Sequence, residues 1–123
     1  MKELTKAEEQ VMRILWKIEK GFVKDIIHEM EDPKPAYNTV STIVRILENK
    51  GFVDHEEFGK SHRYFPLVLK KDYSKFRMND MVNNYFGNSA KQVVSFFASN
   101  DRINIHEADE IIKMLEELKN QKK

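Results

Sequence analysis

The sequence predicts a mainly α-helical fold with one small β-hairpin. Three segments in the first half of the chain place apolar residues at helical spacing, on one face. A stretch with strand-like character follows and is interrupted by Gly59-Lys60, a pair suited to a tight turn. Helical spacing then returns. Three helices followed by a two-stranded ribbon form a winged helix-turn-helix domain, and the later helices are expected to form a second, dimerisation domain.

The composition narrows the possible classes of function. The chain has 123 residues, of which 41% are hydrophobic and 33% charged, and its net charge is +1. Because the chain as a whole is not basic, nucleic-acid binding has to depend on local charge. There is no Cys, which excludes disulfides, thiol catalysis and Cys-based zinc sites and fits a cytoplasmic protein. No apolar run approaches the ~18 residues of a membrane span, so membrane insertion is not expected.

The first two helices have recognisable boundaries. Helix 1 is predicted to start at Thr5, because Thr5 and Glu8 have the spacing of a capping box. Gly21 is expected to end it. Helix 2 is predicted from about residue 23 to 31, where Asp32-Pro33-Lys34-Pro35 stops it, since proline lacks a backbone donor.

The third helix, within residues 36–51, carries the candidate DNA-contacting face. Its apolar stripe runs from Val40 to Leu47, and Gly51 stands where a helix commonly ends. The opposite face is small, uncharged and hydrogen-bonding, whereas most exposed helix faces are rich in Lys and Glu. Short polar side chains let a helix approach a duplex closely. The candidate residues are Asn38, Thr39, Ser41, Thr42 and Arg45.

Each of these residues has an expected role. The side chains at positions 38, 41, 42 and 45 are expected to face the major groove, and Arg45 is the candidate for a bidentate contact to guanine. Thr39, at the helix start, is expected to bond a phosphate.

Local positive charge begins at the hairpin turn, whereas Asp54, Glu56 and Glu57 just before it are acidic. Strands are predicted over residues 52–58 and 61–65, and Pro66 closes the second. Four basic residues and no acidic residue occur from Gly59 to Lys71. Lys60, His62 and Arg63 are therefore expected to contact phosphates from the wing.

Residues 72–123 are expected to form about three helices with many large apolar side chains. A segment of roughly 50 residues does not easily bury so much apolar surface alone, which favours pairing with a second copy. Asn104 and Glu107 have the spacing of a helix start. The candidate dimerisation residues are Phe86, Val93, Phe96, Phe97, Ile111, Ile112, Leu115 and Leu118.

No catalytic constellation is present, and an enzyme is not expected. The four histidines, His28, His55, His62 and His106, have no His or Cys partner at ligand spacing. No metal and no other cofactor is therefore predicted, although His55 and His62 face each other in the proposed hairpin. Two alternatives to DNA binding stay open: a winged-helix protein-interaction module, which the near-neutral charge favours, and a metal-responsive regulator.

Four runs of residues stand out by their order and spacing. They are Thr5-x-Ala-Glu-x-x-Val-Met-x-x-Leu-Trp, Ala36-Tyr37-x-Thr39-Val40-x-Thr42, Leu47-Glu48-x-Lys50-Gly51 and Arg63-Tyr64-x-Pro66. In this set the chain resembles the penicillinase-repressor family, winged-helix repressors of β-lactamase and methicillin-resistance genes. The resemblance spans nearly the whole chain and weakens after Lys71.

The resemblance implies a homodimeric repressor on a palindromic operator in double-stranded DNA. Residues 1–71 would form the DNA-binding domain and residues 72–123 the dimerisation domain. In the family, a protease linked to a membrane sensor relieves repression by cutting an Asn-Phe bond in an apolar helix. The matching bond here is Ser95-Phe96, with Ser in place of Asn. Ile46 likewise stands where many members carry a second basic residue.

Overall fold

The structure, a computed structural model, describes residues 1–100 and 103–121, without the side chains of residues 115 and 118–121. The described residues form six helices and one two-stranded antiparallel sheet, which confirms the predicted fold class. The elements are α1 Lys6–Ile18, α2 Val23–His28, α3 Tyr37–Asn49, β1 Val53–Phe58, β2 Ser61–Pro66, α4 Lys70–Tyr85, α5 Ala90–Ser99 and α6 Ile105–Gln121.

Helix α1 begins as predicted but ends earlier. The Thr5 hydroxyl accepts the backbone N–H of Glu8 at 3.2 Å, and the Glu8 carboxylate accepts that of Thr5 at 2.9 Å, so the capping box is confirmed. The prediction that Gly21 ends the helix is wrong, because Glu19 already has a φ of 71°. Gly21 instead exchanges two backbone hydrogen bonds with Tyr64, at 2.9 and 2.8 Å, which ties the segment after α1 to the hairpin.

Helix α2 is shorter than predicted. It ends at His28, because the N–H groups of Glu29 and Met30 bond to carbonyl oxygens only three residues earlier, a tighter geometry than that of an α-helix. The Lys34 ammonium then donates to the carbonyl oxygens of His28 and Met30. These bonds satisfy carbonyl groups that the helix end would leave unpaired.

Helix α3 and the hairpin agree closely with the expected boundaries. Gly51 has a φ of 81°, a conformation that favours glycine just past a helix end. Gly59, at the hairpin turn, has a φ of 62°. The strands pair in register from Val53 opposite Pro66 to Phe58 opposite Ser61.

Contacts divide the chain into two compact units, Met1–Arg77 and Met78–Lys123. The buried core of the first unit combines side chains from α1, α2, α3 and the hairpin with Tyr73 from the start of α4. The Trp16 indole packs against this core and donates to the carbonyl oxygen of Val68 at 2.9 Å. None of the helices among the described residues combines the length and apolar character needed to cross a bilayer. The largest fully buried side chains are Phe52, Met12, Leu15, Ile26, Leu47, Val11, Val40, Val44 and Val53.

The second unit contains the end of α4 together with α5 and α6, so the three expected helices are present. Ser89 accepts the N–H of Gln92 at the start of α5, and Asn104 accepts that of Glu107 at 2.8 Å at the start of α6. The second bond confirms the predicted helix start at Asn104. Phe96 makes edge contacts with Phe86 and Phe97, with ring centroids 5.7 Å apart in both pairs.

Candidate nucleic-acid interface

The outer face of α3 carries the side chains predicted to contact DNA. Val40, Val44 and Leu47 are fully buried at helical spacing, so the opposite side of the helix points away from the core. The predicted side chains on that side are exposed, except for the half-buried Ser41. They are Asn38, Thr39, Ser41, Thr42 and Arg45.

The start of α3 can receive an anion. Its cap residue, Ala36, has an extended backbone and provides no side-chain cap. The N–H of Thr39 donates to the carbonyl oxygen of Ala36 at 3.1 Å, while Thr39 as a whole is exposed. Because the first N–H groups of a helix attract anions, a phosphate can approach here beside the Thr39 hydroxyl.

Two polar side chains on this face are held along the helix. The Thr42 hydroxyl donates to the carbonyl oxygen of Asn38 at 2.8 Å, and Arg45 Nε donates to that of Ser41 at 3.4 Å. Neither bond uses the terminal guanidinium nitrogens of Arg45, which can still make contacts with a base or a phosphate.

A cleft of about 260 Å³ brings four of the predicted residues together. Ser41 and Arg45 line it from α3, and Lys60 and His62 line it from the hairpin. Tyr37 and Tyr64 complete its walls. Helix and hairpin therefore present basic and hydrogen-bonding groups to a common space, as a groove-reading helix with a backbone-contacting wing requires.

Arg63 lies apart from this group. Side chains alternate between the faces of a strand, so Arg63 points to the face opposite His62. Its guanidinium donates to the Glu56 carboxylate at 3.1 Å and lies 4.7 Å from the centre of the Phe58 ring. Hydrogen bonds from Arg63 and from Lys20 hold the pKa of Glu56 below its usual value.

The side of the hairpin that faces α3 also holds a histidine pair. His55 Nδ1 contacts the Glu48 carboxylate from the last turn of α3, and the His55 ring stacks on His62 with centroids 4.1 Å apart. The hydrogen bond with Glu48, reinforced by nearby carboxylates, raises the pKa of His55 despite its partial burial.

Three residues of this surface are absent from the set predicted to contact DNA. Tyr37 is 59% exposed at the start of α3 and lines the cleft. An aromatic residue at the first position of the predicted helix is visible in the sequence and could have indicated a binding surface. Glu48 and His55 meet only because α3 packs beside the hairpin, and neither position has a local pattern that predicts the contact.

The predicted dimerisation residues all lie in the second unit. Among the described side chains of residues 78–117, none is buried. Phe96 is 50% exposed and Ile112 is 52% exposed. The side chains of Leu115 and Leu118 lie outside the described residues. The half-buried members are Phe86, Val93, Phe97 and Ile111.

An exposed polar helix beside a hairpin with Lys60 at its tip, on a core of three helices, defines a winged-helix transcription regulator. The penicillinase repressor family matches residues 4–117. The chain therefore belongs to the penicillinase repressor family and is a DNA-binding transcriptional repressor.

Individual relatives agree with this assignment. The chain is 27% identical over 122 residues to the penicillinase repressor of Bacillus licheniformis, covering 98% of this chain and 95% of that protein. It is 25% identical over 114 residues to the methicillin resistance regulatory protein MecI of Staphylococcus aureus strain N315. This match covers 92% of this chain and 93% of that protein. A solution structure of the DNA-binding domain of the repressor BlaI superposes with a TM-score of 0.50 and 27% identity, covering 59% of this chain and 94% of that one.

Proposed function

We propose that the chain is a sequence-specific repressor that binds a palindromic operator as a homodimer in the cytoplasm. The observation that carries the proposal is the shared cleft, where Ser41 and Arg45 of α3 meet Lys60 and His62 of the hairpin. A major groove admits an α-helix, and a phosphate backbone beside it suits Lys60 at the tip of the hairpin.

The side chains divide into two roles in this proposal. Those at positions 38, 41, 42 and 45 read base edges, with Arg45 bidentate to guanine. Thr39 bonds a phosphate at the helix start, and Lys60 and His62 do so from the hairpin. Arg63 reaches a phosphate only by exchanging its present partner, Glu56. Its contribution to affinity is therefore expected to be smaller than that of Lys60.

Homodimerisation through the second unit is supported by its exposed apolar surface. Large apolar side chains on α4, α5 and α6 lie open to solvent, which is typical of surfaces that a partner covers. A two-fold symmetric partner also presents two α3 helices to two half-sites, which explains why a palindrome suits a dimer. The most exposed of these side chains are Ile105 at 83%, Tyr85 at 79%, Met114 at 62%, Ile112 at 52% and Phe96 at 50%.

The regulated genes are proposed to be those of β-lactam resistance, because relatives over nearly the full length are named for penicillinase and for methicillin resistance. Relief is proposed to come from cleavage of the Ser95–Phe96 bond by a protease linked to a membrane sensor. Both residues are exposed in α5, and a cut there would divide the apolar surface of the second unit. The test is mass spectrometry of the chain from cells treated with a β-lactam: fragments ending at Ser95 are expected, and an intact chain in derepressed cells would exclude this route.

The DNA-binding proposal is tested by selecting duplexes from a random pool with the full chain. A two-fold symmetric sequence should be enriched, and its affinity should fall steeply as salt rises, because bound phosphates release counterions. Enrichment of a single asymmetric half-site would contradict the dimeric mode. An absence of salt-dependent binding to any duplex would instead favour a protein-interaction module.

A further inference from the structure

Three side chains that can bind a metal lie on one face of the hairpin. In the observed register, His55 is opposite Tyr64 and Glu57 is opposite His62, so all four side chains share that face. The His55 and His62 rings are nearly parallel, with an angle of 8° between their planes. One ligand atom from each of His55, Glu57 and His62 lies within 4.8 Å of the other two.

Glu48 orients one of these histidines. Its carboxylate contacts Nδ1 of His55 from α3, while Nε2 of the same ring faces the Glu57 carboxylate at 3.9 Å. Metal-binding histidines commonly use one ring nitrogen for the metal and the other for a carboxylate, which fixes the ring and increases its basicity. Glu48 already makes that second contact, so Nε2 of His55 is the nitrogen directed at a metal.

The remaining ligands can move the required distance. Zinc holds imidazole nitrogen and carboxylate oxygen at about 2.0–2.2 Å, so the three ligand atoms have to converge by about an ångström. The His55 side chain, 20% exposed, is the fixed member, whereas the Glu57 side chain is 73% exposed and has room to change rotamer. The lone pairs of an imidazole lie in the plane of its ring, so the half-buried His62 ring has to tilt out of its stack with His55 to direct a nitrogen at the same point.

We propose that His55, Glu57 and His62 form a binding site for a divalent transition metal of the zinc type on the wing, with Glu48 as the residue that positions His55. Two imidazoles and one carboxylate select zinc-like ions over magnesium and calcium, which prefer oxygen ligands. Three protein ligands leave a coordination position for water or another oxygen ligand. The two histidines are seven positions apart in the sequence, but only the hairpin register brings them together.

The direct test is calorimetric titration of the full chain with zinc chloride alone. One zinc per chain is expected, with binding lost in His55→Ala and His62→Ala and weakened about 10–100-fold in Glu48→Gln. His28→Ala and His106→Ala are matched controls, because both histidines lie outside the hairpin, and these variants should retain the site. Equal zinc binding in all four alanine variants, or no binding by the wild-type chain, would overturn the proposal.

A second measurement does not depend on variants. In NMR spectra of the wild-type chain, zinc should shift the imidazole signals of His55 and His62 and leave those of His28 and His106 in place. Shifts at His106 alone would locate zinc at the His106–Glu110 pair on α6 and contradict the hairpin site. A pair of variants tests the alternative metal site formed by Glu48, Asp54 and Nδ1 of His55. If Asp54→Asn loses zinc while Glu57→Gln retains it, the metal binds at Nδ1 and the proposed site is wrong.

The effect on DNA rests on the proposed function and is measured separately. A bound zinc adds positive charge beside Lys60, so zinc should steepen the salt dependence of duplex binding by about one unit in the wild-type chain and leave it unchanged in His55→Ala. If zinc binds but this slope stays the same in both, the metal site stands and its link to DNA fails. If no duplex binds with or without zinc, the DNA-binding proposal fails instead.

Discussion

Lys50, the residue that closes α3, donates hydrogen bonds to both carboxylate oxygens of Glu8 in α1, at 2.8 and 3.0 Å. The Glu8 side chain is only 6% exposed, and it also accepts the backbone N–H of Thr5. One carboxylate thus caps α1 and anchors the end of α3, the helix proposed to contact DNA. The position of α3 on the core depends in part on a charge near the start of the chain.

Glu8→Gln is expected to lower the free energy of unfolding by about 1–3 kcal/mol at neutral pH, because it weakens charge-assisted hydrogen bonds at a buried position. Urea unfolding followed by circular dichroism measures the change. Glu31→Gln, at an exposed position, is the control and should leave the midpoint within experimental error. An equal loss in both variants would assign the effect to net charge.

The same contact predicts a pH dependence. Burial alone raises the pKa of Glu8, but hydrogen bonds from Lys50 and from the Thr5 backbone outweigh it and bring the pKa below its usual 4.5. The contribution of Glu8 to stability is therefore complete above about pH 4.5 and is lost as the pH falls through the lowered pKa. The stability difference between the wild-type chain and Glu8→Gln should shrink over that interval, and a constant difference would contradict the assignment.

Tyr73→Phe should destabilise the first unit by about 1–2 kcal/mol, because it leaves a buried donor without its acceptor. The Tyr73 hydroxyl accepts the N–H of Leu4 at 2.9 Å and donates to Glu9 at 3.3 Å. Urea unfolding is the measurement. Tyr85→Phe is the matched control, because Tyr85 is 79% exposed; a comparable loss there would show that hydroxyl removal is harmful for some other reason.

Arg45→Ala should weaken operator binding by about 1–3 kcal/mol and relax the preference at one base pair, because a bidentate contact discriminates among bases. Fluorescence anisotropy with operator and scrambled duplexes measures the ratio. The control is Arg13→Ala, which removes another exposed Arg, on α1. This variant should preserve the ratio of the two affinities. If Arg45→Ala binds both duplexes more weakly by the same factor, Arg45 contacts a phosphate.

Lys60→Ala should weaken binding to all duplexes alike and reduce the salt slope by ~0.9, the value for one phosphate contact. Anisotropy at a series of salt concentrations gives the slope. Lys17→Ala, on α1 away from the cleft, should keep the wild-type slope. A loss confined to operator DNA would indicate that Lys60 reads a base.

Much of the structure of the first unit could be predicted, because the sequence patterns that indicate it involve residues close together in the chain. The capping box at Thr5, the buried stripe of α3 and the turn at Gly59 each depend on residues a few positions apart. The end of α1 is not predictable in this way, because the backbone of Gly21 pairs with distant Tyr64 and no local pattern indicates that pairing. Tyr73 likewise follows the predicted domain boundary, although its hydroxyl bonds to Leu4 in the first unit.

The candidate site was predicted in part for the same reason. Helical spacing identifies the outer face of α3, and basic residues near a turn identify the hairpin tip. The alternation of side chains along each strand decides which hairpin residues share the cleft, and it places Arg63 on the other face, opposite Glu56. The contact between Glu48 and His55 requires the packing of α3 beside the hairpin, which is a tertiary property.

The outer face of α3 has a consequence for how such a repressor changes its target over evolutionary time. Asn38, Thr42 and Arg45 are exposed and take no part in the core, which is supplied by the opposite stripe of the same helix. Substitutions at these positions can therefore alter base preference at little cost to folding. In the proposed mode of binding, operator specificity and stability are encoded on separate sides of one helix, so a duplicated gene could acquire a new operator without compensating changes elsewhere.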